Sequence, residues 1–225
     1  MPGWTHEKRF EGPVCGIDEA GRGPWAGPVV AAAVILDRRR GIGGLDDSKV
    51  LTAGRREELF ARIMARAGAV GIGAASAAEI DFWNIHAATL LAMRRAALRL
   101  KTQPVAVLVD GKFCPILPWP AEAIVDGDAL SVSIAAASIV AKVVRDRAMR
   151  KLGRRYPAYG FESHKGYRAP QHGQALDLHG PCPHHRRSFR PVADALRARR
   201  NNHILCPEGL PDSTSIPAAE SDPTL

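Results

Sequence analysis

Short apolar segments recur along the first two thirds of the chain. They are residues 14–17, 28–36, 69–75, 105–109 and 121–125, and all are rich in Val, Ile, Leu or Ala. Apolar runs of this length, bounded by Gly, Pro or charged residues, are typical of buried β-strands. We therefore predict five strands.

Longer segments between these strands have apolar residues at helical spacing. They predict helices over residues 52–66, 84–100 and 133–152. Thr52 is a residue type that favours the N-cap of the first helix, and Gly68 follows its end. Because strands alternate with helices, the sequence predicts an α/β domain built in layers.

The amino-acid composition of the chain changes from about residue 153. Pro, His, Tyr and Arg become frequent, and only short helices are predicted, over residues 171–178 and 192–200. We interpret residues 1–200 as one domain with a small helical extension from about residue 153. Residues 201–225 are rich in Pro, Ser, Asp and Glu without periodicity, which predicts a disordered acidic tail.

Composition narrows the class of protein. The chain has 225 residues, of which 46% are hydrophobic, enough for one domain with a sizeable core. No apolar run reaches the roughly eighteen residues of a membrane span, so we expect no membrane association. The four cysteines are scattered, which argues against a disulfide framework and favours a reducing, cytoplasmic location.

Charge is distributed unevenly along the chain. All 31 Lys and Arg residues lie within residues 1–200, together with 19 of the 23 acidic residues, so this part carries a formal charge of +12. A basic folded body favours a polyanionic partner, most commonly a nucleic acid. The alternative is a soluble Arg-rich protein without such a partner.

Acidic residues follow three of the apolar segments. Asp18 and Glu19 follow the first, Asp110 the fourth and Asp128 the fifth. The ends of strands in one sheet can bring such carboxylates together, and their repulsion then favours a bound divalent cation. Oxygen ligands suit Mg²⁺ or Mn²⁺ rather than Zn²⁺. Two ions about 4 Å apart would activate a water molecule and stabilise the leaving oxygen of a phosphodiester.

Two observations leave undecided whether these acids form one site. Each acid can instead be a turn residue, because Asp-Gly is a common turn pair and occurs at Asp110 and Asp126. Successive strand residues also face opposite sides, so Asp18 and Glu19 cannot both enter one site from a regular strand. Either the strand ends between them, or Glu19 contributes its backbone carbonyl.

A Gly-Arg-Gly turn follows the first acidic pair. Gly21 and Gly23 permit close approach of a ligand to the backbone, and Arg22 can donate to phosphate. The turn also satisfies the loose dinucleotide pattern G-x-G-x-x-[GA], whose glycines must open a helix. Here the chain continues through Pro28 into a predicted strand, which argues against a dinucleotide cofactor.

Other polar residues are weaker candidates. The candidates for contacts with the phosphates of a nucleic acid are Ser48, Lys49, Lys142, Arg145, His164, Lys165, Arg186 and Arg187. Each of them can alternatively be a solvated surface residue. Asp146 is expected to pair with Arg145 or Arg150 rather than to act in catalysis.

Two further groups are predicted to be structural. The spacing of His179, Cys182, His184 and His185 fits no standard zinc pattern. Trp25, Trp83 and Trp119 are expected in the core or at its rim rather than as stacking platforms for bases.

Several motifs occur in the order found in one known family. Residues 16–36, GIDEAGRGPWAGPVVAAAVIL, resemble the opening signature of ribonuclease HII, the type 2 ribonucleases H. Further matches follow at residues 45–52, 80–81, 84–85, 88–93, 109–111, 127–128, 133–142, 145–147, 164–167 and 185–189. The resemblance covers about residues 13–195, and so many motifs in one order make it specific.

The resemblance implies a ribonuclease H-like mixed sheet flanked by helices, and a metal-dependent endonuclease. The family cuts the RNA strand of RNA–DNA hybrids and cuts 5′ of single ribonucleotides in duplex DNA. Its four catalytic acids fall on Asp18, Glu19, Asp110 and Asp128, the first three as ligands of Mn²⁺ or Mg²⁺, with two ions when substrate is bound. Asp126 competes with Asp128 for the fourth role.

The resemblance also implies how substrate is recognised. In the family, the Gly-Arg-Gly backbone reads the ribose 2′-hydroxyl and a tyrosine stacks on the next sugar, roles that map to Gly21, Arg22, Gly23 and Tyr167. Ser48, Lys49, Lys142 and Lys165 are the expected further substrate contacts. We expect a monomer. The alternatives are a non-catalytic nucleic-acid-binding module on the same fold and a dinucleotide-dependent oxidoreductase.

Overall fold

The computed structural model describes residues 1–204 and contains one mixed β-sheet. Its strands are β1 (Val14–Ala20), β2 (Val29–Ile35), β3 (Ala69–Ala75), β4 (Ala106–Asp110) and β5 (Ala121–Ile124). They lie in the order β3-β2-β1-β4-β5. β2 is antiparallel to both β1 and β3, whereas β4 is parallel to both β1 and β5. The predicted mixed α/β sheet is therefore confirmed.

Helices cover both faces of the sheet. Those described are α1 (Ala53–Arg66), α2 (Ala77–Leu98), α3 (Gly127–Leu130), α4 (Val132–Arg155), α5 (Phe161–His164), α6 (Pro170–His179) and α7 (Arg190–Ile204). Alternate residues of β2 serve the two faces: Ala31 and Ala33 join the core beneath α2, while Ala32 and Val34 join the core beneath α1 and α4. This alternation explains why β2 is apolar throughout.

The first turn of α4 lies directly on β1. A Cβ atom added to Gly16 would lie 2.1 Å from the carbonyl carbon of Ser133, so only glycine permits this approach. The buried carboxylate of Glu7 accepts hydrogen bonds from the Ser131 hydroxyl at 2.5 Å and the Ser133 amide at 3.0 Å. An acid at a helix N-terminus satisfies free amides, so the N-terminal segment anchors the start of α4.

Helix α2 begins earlier than predicted and contains a break. A capping box of Ser76 and Glu79 starts it at Ala77, whereas the sequence predicts a start at Asn84. Asn84 adopts a φ of 68° and its side-chain oxygen accepts from the amides of His86 and Ala87. The predicted start is therefore a second N-cap inside the helix.

The C-terminal region forms a third, smaller core. Tyr159, Phe161, Leu176 and Val192 pack there against Met149 of α4. Since α4 continues to Arg155, this region starts slightly later than predicted. Helix α7 extends to Ile204, so the first four residues of the predicted disordered tail are helical, and the rest of that tail lies outside the described residues.

Two expectations from composition concern membranes and cysteines. No helix within residues 1–204 is both long and apolar enough to cross a membrane. Cys15, Cys114 and Cys182 are free thiols, and Cys206 lies outside the described residues.

Candidate active site

Strands β1 and β4 place two acids next to each other at one edge of the sheet. Their parallel register pairs Ile17 with Val109, so Asp18 and Asp110 are the next residues along. Strand alternation puts both on the face that α4 covers. Burial raises the pKa of Asp18 well above its ordinary value, and the charges of Glu19 and Asp110 raise it further.

Glu19 occupies a different position from Asp18. Strand β1 does not end between them but continues to Ala20, so their side chains leave on opposite faces. The Glu19 amide donates to Asp18 Oδ1 at 2.6 Å, and its carboxylate lies 3.6 Å from Arg22 Nη1. Burial raises the pKa of Glu19, Arg22 lowers it in part, and Asp110 raises it. The geometric conflict foreseen for this pair is therefore present.

Asp128 lies on a helix rather than at the end of a strand, which corrects the prediction. β5 ends at Ile124, and Asp128 belongs to the single turn α3. It is buried, and its Oδ2 lies 3.4 Å from Lys49 Nζ. The exposed Asp126 adopts a φ of 54° and its side chain does not cap α3. The burial and the ion pair of Asp128 favour it over Asp126 as the fourth acid.

The start of α3 also holds Asp110. The Gly127 amide donates to Asp110 Oδ1 at 2.8 Å. Burial raises the pKa of Asp110, although the amides of Gly127 and Asp128 lower it in part. Burial likewise raises the pKa of Asp128 against the opposing effect of Lys49. For Lys49 itself, burial lowers the pKa, but Asp128 and Asp47 more than compensate.

These donors fit a hard divalent cation. They are carboxylate oxygens whose pKa values are raised by burial and by one another, so an added positive charge would stabilise their ionised forms. Within residues 1–204, no three Asp, Glu, His or Cys side chains already form a cage for a metal. The site consists of neighbouring acids on two faces of one sheet edge.

A buried arginine holds the Gly-Arg-Gly turn. Arg186 has no exposed surface, and its guanidinium donates to the carbonyls of Gly21 at 2.5 Å, Arg22 at 2.7 Å and Gly27 at 3.0 Å. Burial and the charge of Arg145 lower the pKa of Arg186 to about 9, so it stays charged at neutral pH. Arg186 thus fixes the backbone of the turn.

Arg145 forms a second buried support for the turn. Its guanidinium donates to the carbonyls of Ala26, Pro28 and Lys165 at 3.1–3.3 Å. Gly21 has a φ of +97°, and a Cβ there would lie 1.9 Å from Arg145 Nε. The prediction that Arg145 and Arg186 contact phosphate is therefore wrong, because both are fully buried and bind backbone carbonyls.

Tyr167 lies next to the turn. Its side chain is 42% exposed, and a Cβ on Gly23 would lie 3.9 Å from Tyr167 Cε1. The Arg145 guanidinium lies 5.5 Å from the centre of the tyrosine ring. The Trp25 amide donates to the Gly166 carbonyl at 2.8 Å, which joins the two loops directly. The turn and Tyr167 therefore form one continuous surface.

The remaining predicted contacts differ in accessibility. Lys49 is exposed, but the buried Ser48 hydroxyl accepts a hydrogen bond from Ser138 at 2.8 Å. Lys142 lies 2.7 Å from Asp146, so Asp146 does not pair with Arg145 or Arg150 as predicted.

Three further residues are candidates for phosphate contacts: His164, Lys165 and Arg187. Lys165 folds back onto the carbonyls of Glu162 and Ser163, His164 contacts the Tyr159 carbonyl, and Arg187 is exposed.

Trp25 and Trp119 pack against cores as expected, whereas Trp83 is 54% exposed.

Sequence reasoning missed the structural roles of Glu7, His172 and the Arg186 side chain. Arg186 binds the Gly21 carbonyl 165 positions away, and Glu7 binds the Ser133 amide 126 positions away. His172 binds the nearby Tyr167 carbonyl, and its other ring nitrogen contacts the buried His185. Local patterns carry no signal for such contacts.

Neighbouring buried acids beside a glycine turn are an arrangement that metal-dependent phosphodiester hydrolysis uses, so the site is typical of a metal-dependent nuclease. The comparisons agree with that class. The sequence model of the family "Ribonuclease HII" matches residues 15–192. The ribonuclease HII of Acidovorax sp. (strain JS42) is 62% identical over 187 residues, which are 83% of this chain and 90% of that protein.

Two solved structures are also similar. Ribonuclease H2 from Pyrococcus horikoshii OT3 has a TM-score of 0.73 and 28% identity, over 84% of this chain and 100% of that chain. Bst ribonuclease HIII, solved in complex with Mn²⁺, has a TM-score of 0.65 and 20% identity over 84% and 70% of the two chains, a likeness of fold alone. The chain belongs to the ribonuclease HII family. It is an endonuclease of the ribonuclease H type, from a family that depends on divalent metal and acts on RNA–DNA hybrids.

Proposed function

We propose that this endonuclease incises duplex DNA 5′ of a single embedded ribonucleotide, in addition to cutting the RNA strand of hybrids. The proximity of Gly23 to Tyr167 supports this proposal, since a Cβ built on Gly23 would lie 3.9 Å from the tyrosine ring. A backbone that can read the ribose 2′-hydroxyl therefore lies beside an aromatic ring, and we call the Gly-Arg-Gly turn and Tyr167 the two readers. The Gly-Arg-Gly turn starts two residues after Glu19, so the reader adjoins the acidic edge of the sheet.

The chemistry of the two readers supports a preference for a ribonucleotide followed by a deoxyribonucleotide. The 2′-hydroxyl distinguishes RNA from DNA, and backbone groups of a rigid turn can hydrogen-bond it. The face of Tyr167 favours contact with an apolar sugar edge, and deoxyribose lacks the hydroxyl that would disturb that contact. Arg22, half exposed beside the turn, is placed to donate to the adjacent phosphate.

Asp18, Glu19 and Asp110 are the residues that we propose to hold the metal, with Asp128 as the fourth catalytic acid. Two Mn²⁺ or Mg²⁺ ions would supply a water nucleophile and charge stabilisation for the leaving oxygen. Glu19 would contribute its carboxylate after release from Arg22, or its backbone carbonyl. Lys49, paired with Asp128, keeps a positive charge at the rim where a phosphate would arrive.

The two alternative functions explain the structure less well. A non-catalytic binding module gains nothing from burying like-charged acids that face a polyanion, and Asp18 carries that cost. A dinucleotide site needs a helix after the glycine turn. Strand β2 follows instead, from Val29.

We further propose a cytoplasmic monomer. One chain supplies all four acids and both nucleotide readers, so no second copy is needed to complete the site. The three free thiols of the described region fit a reducing compartment.

Incision of a defined substrate tests the proposed function. A DNA duplex with one ribonucleotide is incubated with Mn²⁺ or Mg²⁺, and separately with excess chelator, and the product ends are mapped. We expect metal-dependent cleavage 5′ of the ribonucleotide, leaving a 3′-hydroxyl and a 5′-phosphate. Cleavage of continuous hybrids without incision at the single ribonucleotide would contradict the proposal.

A further inference from the structure

Two buried histidines connect Tyr167 to the C-terminal region. His172 and His185 are at most 1% exposed, and their Nε2 atoms lie 3.0 Å apart. His172 Nδ1 lies 2.9 Å from the Tyr167 carbonyl oxygen, and His185 Nδ1 lies 3.0 Å from the Cys182 amide nitrogen. The four groups form one chain of hydrogen bonds.

The partners assign the proton positions in this chain. A carbonyl oxygen only accepts, so His172 Nδ1 carries a proton and donates to Tyr167. The Cys182 amide only donates, so His185 Nδ1 accepts and the proton of neutral His185 sits on Nε2. His185 Nε2 then donates to His172 Nε2. Each bond has one donor and one acceptor, with both rings neutral.

His185 is followed by Arg186, which holds the Gly-Arg-Gly turn. Backbone contacts fasten the same segment: the Arg186 amide donates to the Trp25 carbonyl at 2.8 Å, and the Gly27 amide donates to the His184 carbonyl at 2.8 Å. One dipeptide, His185-Arg186, therefore reaches both nucleotide readers, the turn through its arginine and Tyr167 through His172.

We propose that His185-Arg186 sets the distance between the Gly-Arg-Gly turn and Tyr167, with His172 as the positioning residue, and that this distance determines the preference for an RNA–DNA junction. The inference rests on the proposed function, which assigns the two readers to adjacent nucleotides. A junction requires both readers at once, whereas a continuous hybrid offers a ribose at every step. Loss of the spacing therefore harms junction cleavage most.

A packing role alone makes a different prediction. The His172 ring lies 5.1 Å from Trp25, 5.5 Å from Phe161 and 4.7 Å from His164, so its removal also disturbs the small core. Such damage lowers stability and both activities together. The ratio of kcat/KM for a single-ribonucleotide duplex to kcat/KM for a continuous hybrid separates the two roles.

Two substitutions at one position provide the test. His172→Asn keeps an amide nitrogen at the place of Nδ1 and can still donate to Tyr167, whereas His172→Gln places its amide at the Nε2 end. We expect His172→Gln to lower the ratio about fivefold, the effect of one hydrogen bond, and His172→Asn to keep it within about twofold of wild type. His184→Gln is the matched control. The His184 ring contacts Tyr156 and takes no part in the hydrogen bonds between His172 and His185, so this variant should keep the wild-type ratio.

A double-mutant cycle with Tyr167→Ala completes the experiment. If His172 acts through Tyr167, His172→Gln has no further effect on the ratio once the tyrosine ring is absent. Equal ratios for both His172 variants, or additive effects with Tyr167→Ala, overturn the inference and leave the proposed function intact. A ratio unchanged in Tyr167→Ala itself overturns the proposed role of the tyrosine, and the inference with it.

Discussion

The guanidinium of Arg186 lies 2.7 Å from the carbonyl oxygen of Arg22, although 164 positions separate the two residues. The last helical region of the domain thus fixes the loop that follows its first strand. Within residues 1–204 the buried guanidinium forms no ion pair, so its charge is stabilised by the carbonyl acceptors. The Gly-Arg-Gly turn and the C-terminal region are therefore one structural unit.

Replacing this arginine with lysine should damage the turn. Arg186→Lys keeps the charge, but a single ammonium cannot reproduce the planar fork that reaches three carbonyls. We expect unfolding free energy to fall by about 1–3 kcal/mol, the cost of a buried polar group left unsatisfied, together with kcat/KM on every ribonucleotide substrate. Arg187→Lys, on the exposed neighbour, should be close to wild type in urea denaturation and cleavage. Equal behaviour of the two variants would refute the role of Arg186.

The two glycines of the turn should respond differently to alanine. Gly21→Ala combines a φ of +97° with a Cβ 1.9 Å from Arg145, so we expect a strongly lowered thermal midpoint. Gly23→Ala meets only Tyr167, at 3.9 Å, so we expect near-normal stability with weaker binding of ribonucleotide substrates. Thermal melts and substrate titration of both variants check this. A Gly21→Ala protein that melts like Gly23→Ala contradicts the described turn.

Neutralising Asp18 should stabilise the metal-free protein. The pKa of Asp18 is raised in the fold by burial and by Glu19 and Asp110. The fold is therefore more stable when Asp18 is protonated, and this extra stability is lost as pH rises through the folded pKa. At neutral pH and with chelator, Asp18→Asn should melt above wild type, by roughly 2–4 °C per kcal/mol of repulsion removed. Asp177→Asn, an exposed acid on α6, should not.

Added Mn²⁺ should reverse that order. A cation that binds only the folded wild type raises its midpoint, and Asp18→Asn should gain less. A variant that melts below wild type in chelator would show that Asp18 is not under electrostatic strain.

The histidine chain should make stability depend on pH. Burial and the charge of His172 lower the pKa of His185 to about 3, and burial lowers that of His172. In the unfolded chain both titrate near 6.5, so unfolding takes up protons between these values and stability falls as pH falls below about 6.5. The slope is at most about 1.4 kcal/mol per pH unit for each histidine.

Protonation of the active-site acids raises the free energy of unfolding as pH falls, which opposes the effect of the histidines. The test therefore compares the pH dependence of the wild type with that of a histidine variant. Denaturation free energies of wild type and His185→Gln are compared from pH 7 to pH 4.5. We expect the variant to show the shallower loss. Parallel curves would mean that the pKa of His185 is the same in the folded and the unfolded chain, which contradicts the prediction.

Much of the fold is predictable from local sequence. Strand β3 has the bounds predicted for it, because an apolar run there is limited by Gly68 and by Ser76, the cap of the next helix. Asp18 and Asp110 are likewise identified as acids at strand ends that share an edge. Asp128 is misplaced on a strand because a single helical turn is too short to leave a periodic pattern.

The sequence does not reveal which side chains bind backbone groups that are far away along the chain. Arginine is a residue type that commonly contacts phosphate, and nothing near Arg145 and Arg186 in sequence indicates that their partners include carbonyls 117–165 positions away. The family resemblance pairs Tyr167 with the turn, whereas the histidines that connect them follow only from the packed structure.

The assignment of Asp18, Asp110 and Asp128 as catalytic acids is the central claim, and one comparison of variants tests it most directly. Single-turnover incision of a single-ribonucleotide duplex with Mn²⁺ is measured for wild type, Asp18→Asn, Asp110→Asn, Asp128→Asn and Asp126→Asn, with duplex binding measured in parallel. We predict that the first three variants bind duplex but do not cut, while Asp126→Asn cuts like wild type. Normal cutting by Asp110→Asn, or loss of cutting in Asp126→Asn with activity kept in Asp128→Asn, would contradict the account.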